Sequence, residues 1–215
     1  MNEINSTLSV FYNQPFWELG LLWSGVMINF NQIFPLLHCR CVLCDLDGTL
    51  VETDEANFLA YQEAIYEVVN VEIEANGERF TKENIKEWCP YISEEEFKEI
   101  VKYKNDAFEK YLGKTKPNLD VIKLVEILSY KCRVFLCSNS NARRGNDVLA
   151  YHNLDRLFNN KYYNILPLNK YSKVLSLYNI ASSDVLVIEN DEEDIRDALN
   201  AGILTEQIID VRWKL

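Results

Sequence analysis

The sequence has few basic residues relative to acidic ones, with 22 Lys and Arg against 33 Asp and Glu and a net charge of −11 over 215 residues. Nonspecific nucleic-acid binding needs a basic face, so we expect no nucleic-acid partner. The same imbalance means that an anionic substrate needs local positive charge, from a metal ion, a lysine or a helix N-terminus.

Cysteine is present but is not arranged as a metal or disulfide framework. Three of the six cysteines lie between His38 and Cys44, and no second Cys/His pair follows at ligand spacing. A zinc site needs both halves, so this pattern argues against zinc. A disulfide scaffold is not expected in a chain of this length and apolar content. We interpret the cysteines as small buried hydrophobes in a reducing compartment, and we expect a cytoplasmic protein.

The chain also lacks a long uninterrupted apolar run. Residues 16–37 are rich in Phe, Trp, Leu and Ile, but Glu18, Asn29 and Pro35 interrupt them. No basic segment precedes them, so a signal peptide fits poorly. A membrane-spanning helix of ~20 apolar residues is the alternative interpretation. We predict instead that residues 1–38 form helices that pack on the domain or on a second copy of the chain, with no membrane partner.

The rest of the chain is predicted to fold as an α/β protein. Apolar segments at 42–45, 132–137 and 184–188 have the continuous pattern of buried strands, and helical patterns separate them. Strands that alternate with helices form an open parallel sheet with helices on both faces. We also expect an edge strand at 162–168 and a last strand that includes Val211.

A long helical segment follows the first strand. Apolar residues from Phe58 to Val69 recur at spacings of three and four, and Ser93 precedes three glutamates, as at a helix N-terminus. Such an insertion would lie over the carboxyl edge of the sheet, where ligands of these folds bind. The predicted divisions are an N-terminal extension at 1–38, a core at 39–52 and 117–215, and an inserted all-helical cap at 53–116.

The most informative motif is the run Asp45-Leu46-Asp47-Gly48-Thr49-Leu50, which directly follows a buried strand. Burying a lone carboxylate is costly, so a pair here implies a metal, another cation or a site open to water. Asp45 is placed to attack phosphorus, and Asp47 can protonate the leaving oxygen and then activate water. The two carboxylates can also share one Mg²⁺. Gly48 permits the turn, and Thr49 can hydrogen-bond nearby.

A second strand end and a lysine extend the candidate site. Ser138 offers a hydroxyl beside the backbone N–H groups of Asn139 and Ser140, which can hold phosphoryl oxygens. Lys170 begins the helix before the third strand, and Lys173 one turn later is the alternative. A cation is needed there because carboxylates crowd against phosphate.

In this order, the motifs resemble the haloacid dehalogenase-like (HAD) superfamily. Residues 45–50 match the first motif of that family, the strand that ends at Ser138 is similar to the second, Lys170 to the third, and the acidic run 189–194 to the fourth. The resemblance covers about residues 41–205. The chain is most similar to the subclass that includes beta-phosphoglucomutase and many small phosphatases. This resemblance implies a Rossmann-like core with a helical cap after the first motif.

The resemblance also implies roles. The first Asp of the motif is the nucleophile, and Mg²⁺ is held by its carboxylate, the backbone carbonyl of the second Asp and an Asp of the fourth motif. Many members have Glu-Asp or Asp-Asp where this chain has Glu189-Asn190. The amide oxygen of Asn190 can still coordinate, and Glu189, Asp191 or Asp194 can supply the missing charge. The predicted catalytic residues are Asp45, Asp47, Ser138 and Lys170, the substrate-binding residues Thr49, Asn139 and Ser140, and the metal-binding residues Asp45, Asp47, Asn190 and Asp194.

The predicted function is therefore a Mg²⁺-dependent phosphatase that hydrolyses a small phosphorylated metabolite through an aspartyl-phosphate intermediate. A phosphomutase of the same fold is one alternative. A HAD-like scaffold with weak or no catalysis is another, since Asn190 is neutral and the apolar extension could form a homo-oligomer. A dehalogenase is disfavoured because Asp47 is present. Candidate substrate contacts near the motifs are Asn57, Tyr61, Asn141, Arg143 and Arg144.

Overall fold

The computed structural model describes residues 39–75, 79–164 and 169–212. The predicted extension at residues 1–38, with its proposed packing and its role in a homo-oligomer, lies outside the described residues.

From Lys116 onward, strands and α-helices alternate along the described chain, as the sequence predicts for the core. The strands are β1 (Cys41–Cys44), β2 (Val51–Glu52), β3 (Lys116–Pro117), β4 (Arg133–Ser138), β5 (Asn160–Tyr163), β6 (Val185–Glu189) and β7 (Ile208–Asp210). The α-helices are α1 (Asp54–Val69), α2 (Ile85–Trp88), α3 (Glu94–Ala107), α4 (Leu119–Ser129), α5 (Ala142–Tyr151), α6 (Lys170–Tyr178) and α7 (Glu192–Asn200).

The main sheet of the described chain has the strand order β5-β4-β1-β6-β7, and all its pairs are parallel. β1 is central, and Cys44 lies beside Leu136 of β4 and Ile188 of β6. The carboxyl ends of these three strands are therefore side by side. The predicted fold class, a Rossmann-like parallel α/β sheet, is confirmed.

Both faces of the sheet are covered, which explains the uninterrupted apolar character of β1. Successive side chains of a strand point to opposite faces. Val42 and Cys44 pack into one hydrophobic cluster, and Cys41 and Leu43 pack into another on the opposite side. All four residues are fully buried, so neither face of β1 tolerates a polar side chain before the strand ends at Asp45.

The segment between β2 and β3 is helical and has a hydrophobic cluster of its own. That cluster contains Tyr61, Ala64, Ile65, Ile73, Phe80, Ile85, Cys89 and Ile100. Ser93 begins α3 with a capping box, in which its hydroxyl accepts from the Glu96 N–H at 3.2 Å. After Ala107 the chain continues as a 3₁₀-helix from Phe108 to Lys114. The predicted cap boundaries at 53 and 116 stay a prediction.

Two strand predictions differ in their bounds. β5 begins at Asn160 and its described part ends at Tyr163, two residues earlier at its start than predicted, and residues 165–168 are not described. β7 ends at Asp210, although the Val211 N–H still donates to the Glu189 carbonyl oxygen at 2.9 Å. No helix in the described part of the chain is long and apolar enough to cross a membrane.

Candidate active site

Asp45 belongs to a buried ionic cluster at the end of β1, and Lys170 lies at the centre of that cluster. The Lys170 ammonium, at the first residue of α6, lies 3.0 Å from Asp45 Oδ1, 2.9 Å from Glu189 Oε2 and 2.8 Å from Asp194 Oδ2. Lys170 is 2% exposed and Glu189 is fully buried, so water screens these contacts little. The lysine predicted to balance the strand-end carboxylates therefore lies among them.

Burial dominates the protonation of this cluster. Burial and the neighbouring Glu189 carboxylate raise the pKa of Asp45 well above its usual value, although Lys170 opposes this shift. Burial also opposes the charge on Lys170, but Asp45, Tyr171 and Glu189 hold its pKa well above the usual value. Lys170 is consequently a fixed cation, and a further positive charge beside Asp45 would favour the ionised carboxylate.

Asp47 is held by a different set of partners on the same edge. Arg144 Nη2 lies 2.6 Å from Asp47 Oδ2, and the Thr53 hydroxyl donates to Oδ1 at 2.6 Å. The Ser140 hydroxyl also donates to Asp47 Oδ2 and accepts from Arg144. Burial opposes ionisation of this carboxyl, but Arg144, Ser140 and Thr53 hold its pKa below the usual value. Asp47 is thus oriented from both oxygens and is ionised.

Asn190, which stands where many family members have an acid, closes the turn of the first motif. Its Oδ1 accepts from the Thr49 hydroxyl at 2.8 Å. Gly48 has φ +80°, a backbone conformation that is strained for residues with a side chain, and a Cβ atom there would collide with the Asn190 side-chain amide. Both observations favour glycine at this position. Thr49, predicted to bind substrate, has its hydroxyl engaged by Asn190.

The three polar residues at the carboxyl end of β4 divide between the two carboxylate groups. Ser138 is buried, and its hydroxyl accepts from the Ser140 N–H at 3.1 Å. Asn139 Nδ2 donates to Asp194 Oδ1 at 3.2 Å. Ser140 belongs to the Asp47 group. The structure therefore brings the predicted catalytic and substrate-binding residues to one edge of the sheet, and their roles stay predictions.

Of the five candidate substrate contacts, Arg144 reaches Asp47, and Tyr61 is buried in the helical segment between β2 and β3. The other three have structural partners. Asn57 donates to the Phe80 carbonyl oxygen, Asn141 caps α5, and the exposed Arg143 pairs with Asp106.

Two residues at this site have no role in the sequence prediction. Thr53 is one of them, and its hydroxyl holds Asp47. Arg79 lies 3.4 Å from Asp54 and 3.4 Å from Asp191, and so connects the helical segment to the end of β6. The position of Thr53 at the start of α1, directly after the motif, is the signal that could have identified it. No sequence signal marks Arg79.

The carboxylates fit the metal ion that the sequence implies. Asp45, Glu189 and Asp194 each offer an oxygen, and these oxygens lie within 4.8 Å of one another. Three carboxyl groups face one ammonium, so the cluster with all three ionised has two more negative than positive charges, which matches one divalent cation. Oxygen donors are the ligands that Mg²⁺ takes. Glu189 belongs to this group, whereas the predicted ligand Asn190 is engaged by Thr49.

Comparison with known proteins agrees with this geometry. The family model of haloacid dehalogenase-like hydrolases matches residues 39–202, and no curated protein matches the sequence. The chain belongs to the haloacid dehalogenase-like hydrolase family and is an enzyme of that class.

Solved structures share the fold at low identity. A haloacid dehalogenase-like hydrolase from Streptococcus pneumoniae has 17% identity and a TM-score of 0.66, over 78% of this chain and 83% of that chain. CbbY from Rhodobacter sphaeroides, in complex with phosphate, has 16% identity and a TM-score of 0.65, over 77% and 84%. A predicted phosphatase from Clostridium acetobutylicum has 21% identity and a TM-score of 0.65, over 77% and 82%.

Proposed function

We propose that the protein is a Mg²⁺-dependent phosphatase that hydrolyses a small phosphate monoester through a phosphorylated Asp45. The observation that carries the proposal is the separation of two carboxylates by their partners. Asp45 faces Lys170, Glu189 and Asp194, whereas Asp47 faces Arg144, Ser140 and Thr53. Two carboxylates in different environments can take different roles in one reaction.

The proposed reaction has two steps. An Asp45 carboxylate oxygen forms a bond to phosphorus while the ester P–O bond breaks, and Asp47, which has to enter this step protonated, gives its proton to the leaving oxygen. Water then attacks the phosphorus of the aspartyl phosphate, Asp47 accepts its proton, and inorganic phosphate leaves Asp45. The proton-donor role requires that Arg144 give up part of its contact with Asp47, since that contact favours the ionised carboxylate.

The metal would be held by the carboxylates of Asp45, Glu189 and Asp194, with the Asp47 carbonyl oxygen and the Asn190 amide oxygen as further candidate ligands. When bound, Mg²⁺ supplies positive charge that neutralises the phosphoryl oxygens. Lys170 contributes a second fixed charge on the nucleophile. Together they would counter the repulsion between an anionic substrate and a protein of net charge −11.

The first prediction concerns metal removal. We expect EDTA to lower the hydrolysis of a panel of phosphate monoesters at least about 100-fold, because the excess negative charge around Asp45 then repels the substrate. The measurement is phosphate release at fixed ionic strength, before EDTA, with EDTA, and after addition of excess MgCl₂.

Circular dichroism of the EDTA-treated protein is the control, because it separates loss of catalysis from loss of fold. An unchanged rate in EDTA would contradict the metal dependence. The absence of turnover of every ester in the presence of Mg²⁺ would contradict the proposed function as a whole and would favour the scaffold alternative.

A further inference from the structure

Lys104 is a buried cation without an anionic partner. It lies on α3 and is 6% exposed, and the part of the chain that the structure describes offers its ammonium no carboxylate or hydrogen-bond acceptor. Its contacts are aromatic instead: Nζ lies 4.7 Å from the ring centre of Tyr61 and 5.6 Å from that of Phe108. A buried ammonium that contacts aromatic rings and no anion is costly, so the position of Lys104 calls for a further explanation.

Arg144 brings a second cation to the same aromatic ring. Its guanidinium carbon lies 4.9 Å from the ring centre of Phe108. Nη2 holds Asp47 and Ser140, and the other guanidinium nitrogens have no hydrogen bond to the described residues. Burial and the neighbouring Arg144 lower the pKa of Lys104 to about 7, although the Asp47 carboxylate opposes this shift. Two like charges around one ring are unfavourable, and a further anion beside them would reduce their repulsion.

Tyr61 adds a hydrogen-bond donor. It is 5% exposed, and its hydroxyl makes no hydrogen bond within the described ranges. Lys104 lies over the Tyr61 ring and shares the Phe108 ring with Arg144, so an ammonium, a phenol and a guanidinium with unused donors belong to one group of side chains, which Arg144 joins to Asp47. Hydrogen-bond donors of this kind suit a carboxylate or a phosphate group.

We propose that Lys104, Arg144 and Tyr61 form a subsite for a second anionic group of the substrate, distinct from the phosphoryl group that reacts at Asp45. The substrate class is thus a small phosphate monoester that also carries a carboxylate or a second phosphate. The inference rests on the proposed function. It explains why a chain rich in acids buries an unpaired lysine in the segment between β2 and β3, next to the catalytic edge.

The test compares substrates that differ in one group. Ethyl phosphate has no second anion, glycolate 2-phosphate has a carboxylate in place of the methyl group, and ethylene glycol bisphosphate has a second phosphate. We expect the wild type to prefer at least one of the two esters with a second anionic group in kcat/KM. In Lys104→Met, the kcat/KM of the preferred ester divided by the kcat/KM of ethyl phosphate should fall at least about tenfold, chiefly because the KM of the preferred ester rises.

Lys102→Met is the matched control, because Lys102 is exposed on the same helix. It should leave the ratio unchanged. Lys104→Met is expected to fold, since methionine fills a similar volume and removes a buried charge that has no partner. The two esters with a second anionic group distinguish a carboxylate from a phosphate as that group.

Kinetics and calorimetry together keep the two proposals separate. If ethyl phosphate is hydrolysed but neither ester with a second anionic group is preferred, or if Lys104→Met keeps the preference, the subsite is wrong and the phosphatase proposal stands. If no ester is hydrolysed, the phosphatase proposal fails, and the subsite is judged by the Kd of each ester for wild type and Lys104→Met, measured by calorimetry. Equal Kd values for ethyl phosphate and both esters with a second anionic group would then overturn the subsite.

Discussion

Replacement of Asp45 by asparagine is expected to lower phosphate release at least about 1000-fold, because the amide cannot attack phosphorus. The change is nearly isosteric, and it removes one of the uncompensated negative charges around Lys170. The variant should therefore fold as well as the wild type, so its inactivity cannot be attributed to unfolding. The measurements are phosphate release with Mg²⁺ and thermal unfolding followed by circular dichroism.

Asp106→Asn is a suitable control for this variant. Asp106 is exposed and pairs with Arg143 at the surface, so its replacement should change the rate little. If Asp45→Asn kept more than about a tenth of the wild-type rate, Asp45 would not be the nucleophile, and water activated by another group would have to replace it.

Replacement of Lys170 by methionine is expected to lower the free energy of unfolding by about 3–5 kcal/mol at neutral pH, the cost of leaving buried charges without their partner. Three carboxylates contact this ammonium, and it is 2% exposed. Hydrolysis should also be lost. Urea denaturation followed by fluorescence measures the change in stability.

Lys173→Met is the matched control, because Lys173 is exposed one turn later on α6. Its stability should stay within about 0.5 kcal/mol of the wild type. If Lys170→Met is too unstable to purify, the double variant Asp45→Asn/Lys170→Met should recover stability, since it removes an anion together with the cation. A Lys170→Met protein as stable as Lys173→Met would refute the ionic cluster.

The edge that holds the site could be predicted from the sequence because it follows from sheet geometry. Three apolar runs end at Asp45, Ser138 and Glu189, and parallel strands bring such ends to one edge. Lys170 could be identified from its place before the third run. These inferences need only the order of the strands along the chain, which the hydrophobic pattern of the sequence indicates well.

The partners of Asp47 could not be predicted in the same way. Arg144 is 97 residues away along the chain, and its contact depends on how α5 packs and on the rotamer that the arginine adopts. Among the residues near the motifs it looked no different from Arg143, which pairs at the surface. The sequence shows that both positions are arginines, but only the packing of α5 shows which of the two contacts Asp47.

The sequence does contain a signal for Lys104, namely its position on α3. It lies four residues after Ile100 and three before Ala107, and these three positions form the buried stripe of α3. A lysine on an apolar stripe normally extends its charge to solvent. That it is buried instead depends on Tyr61 and Phe108, which come from neighbouring elements.

The most direct test of the mechanism is to identify the residue that carries phosphate during turnover. Enzyme mixed with a hydrolysed ester and Mg²⁺ is quenched in acid and treated with borohydride, which converts an aspartyl phosphate to homoserine. We expect peptide mass spectrometry to find homoserine at position 45 only in the substrate-treated sample. Steady phosphate release with aspartate intact at position 45, or with the modification at position 47, would contradict catalysis through a phosphorylated Asp45.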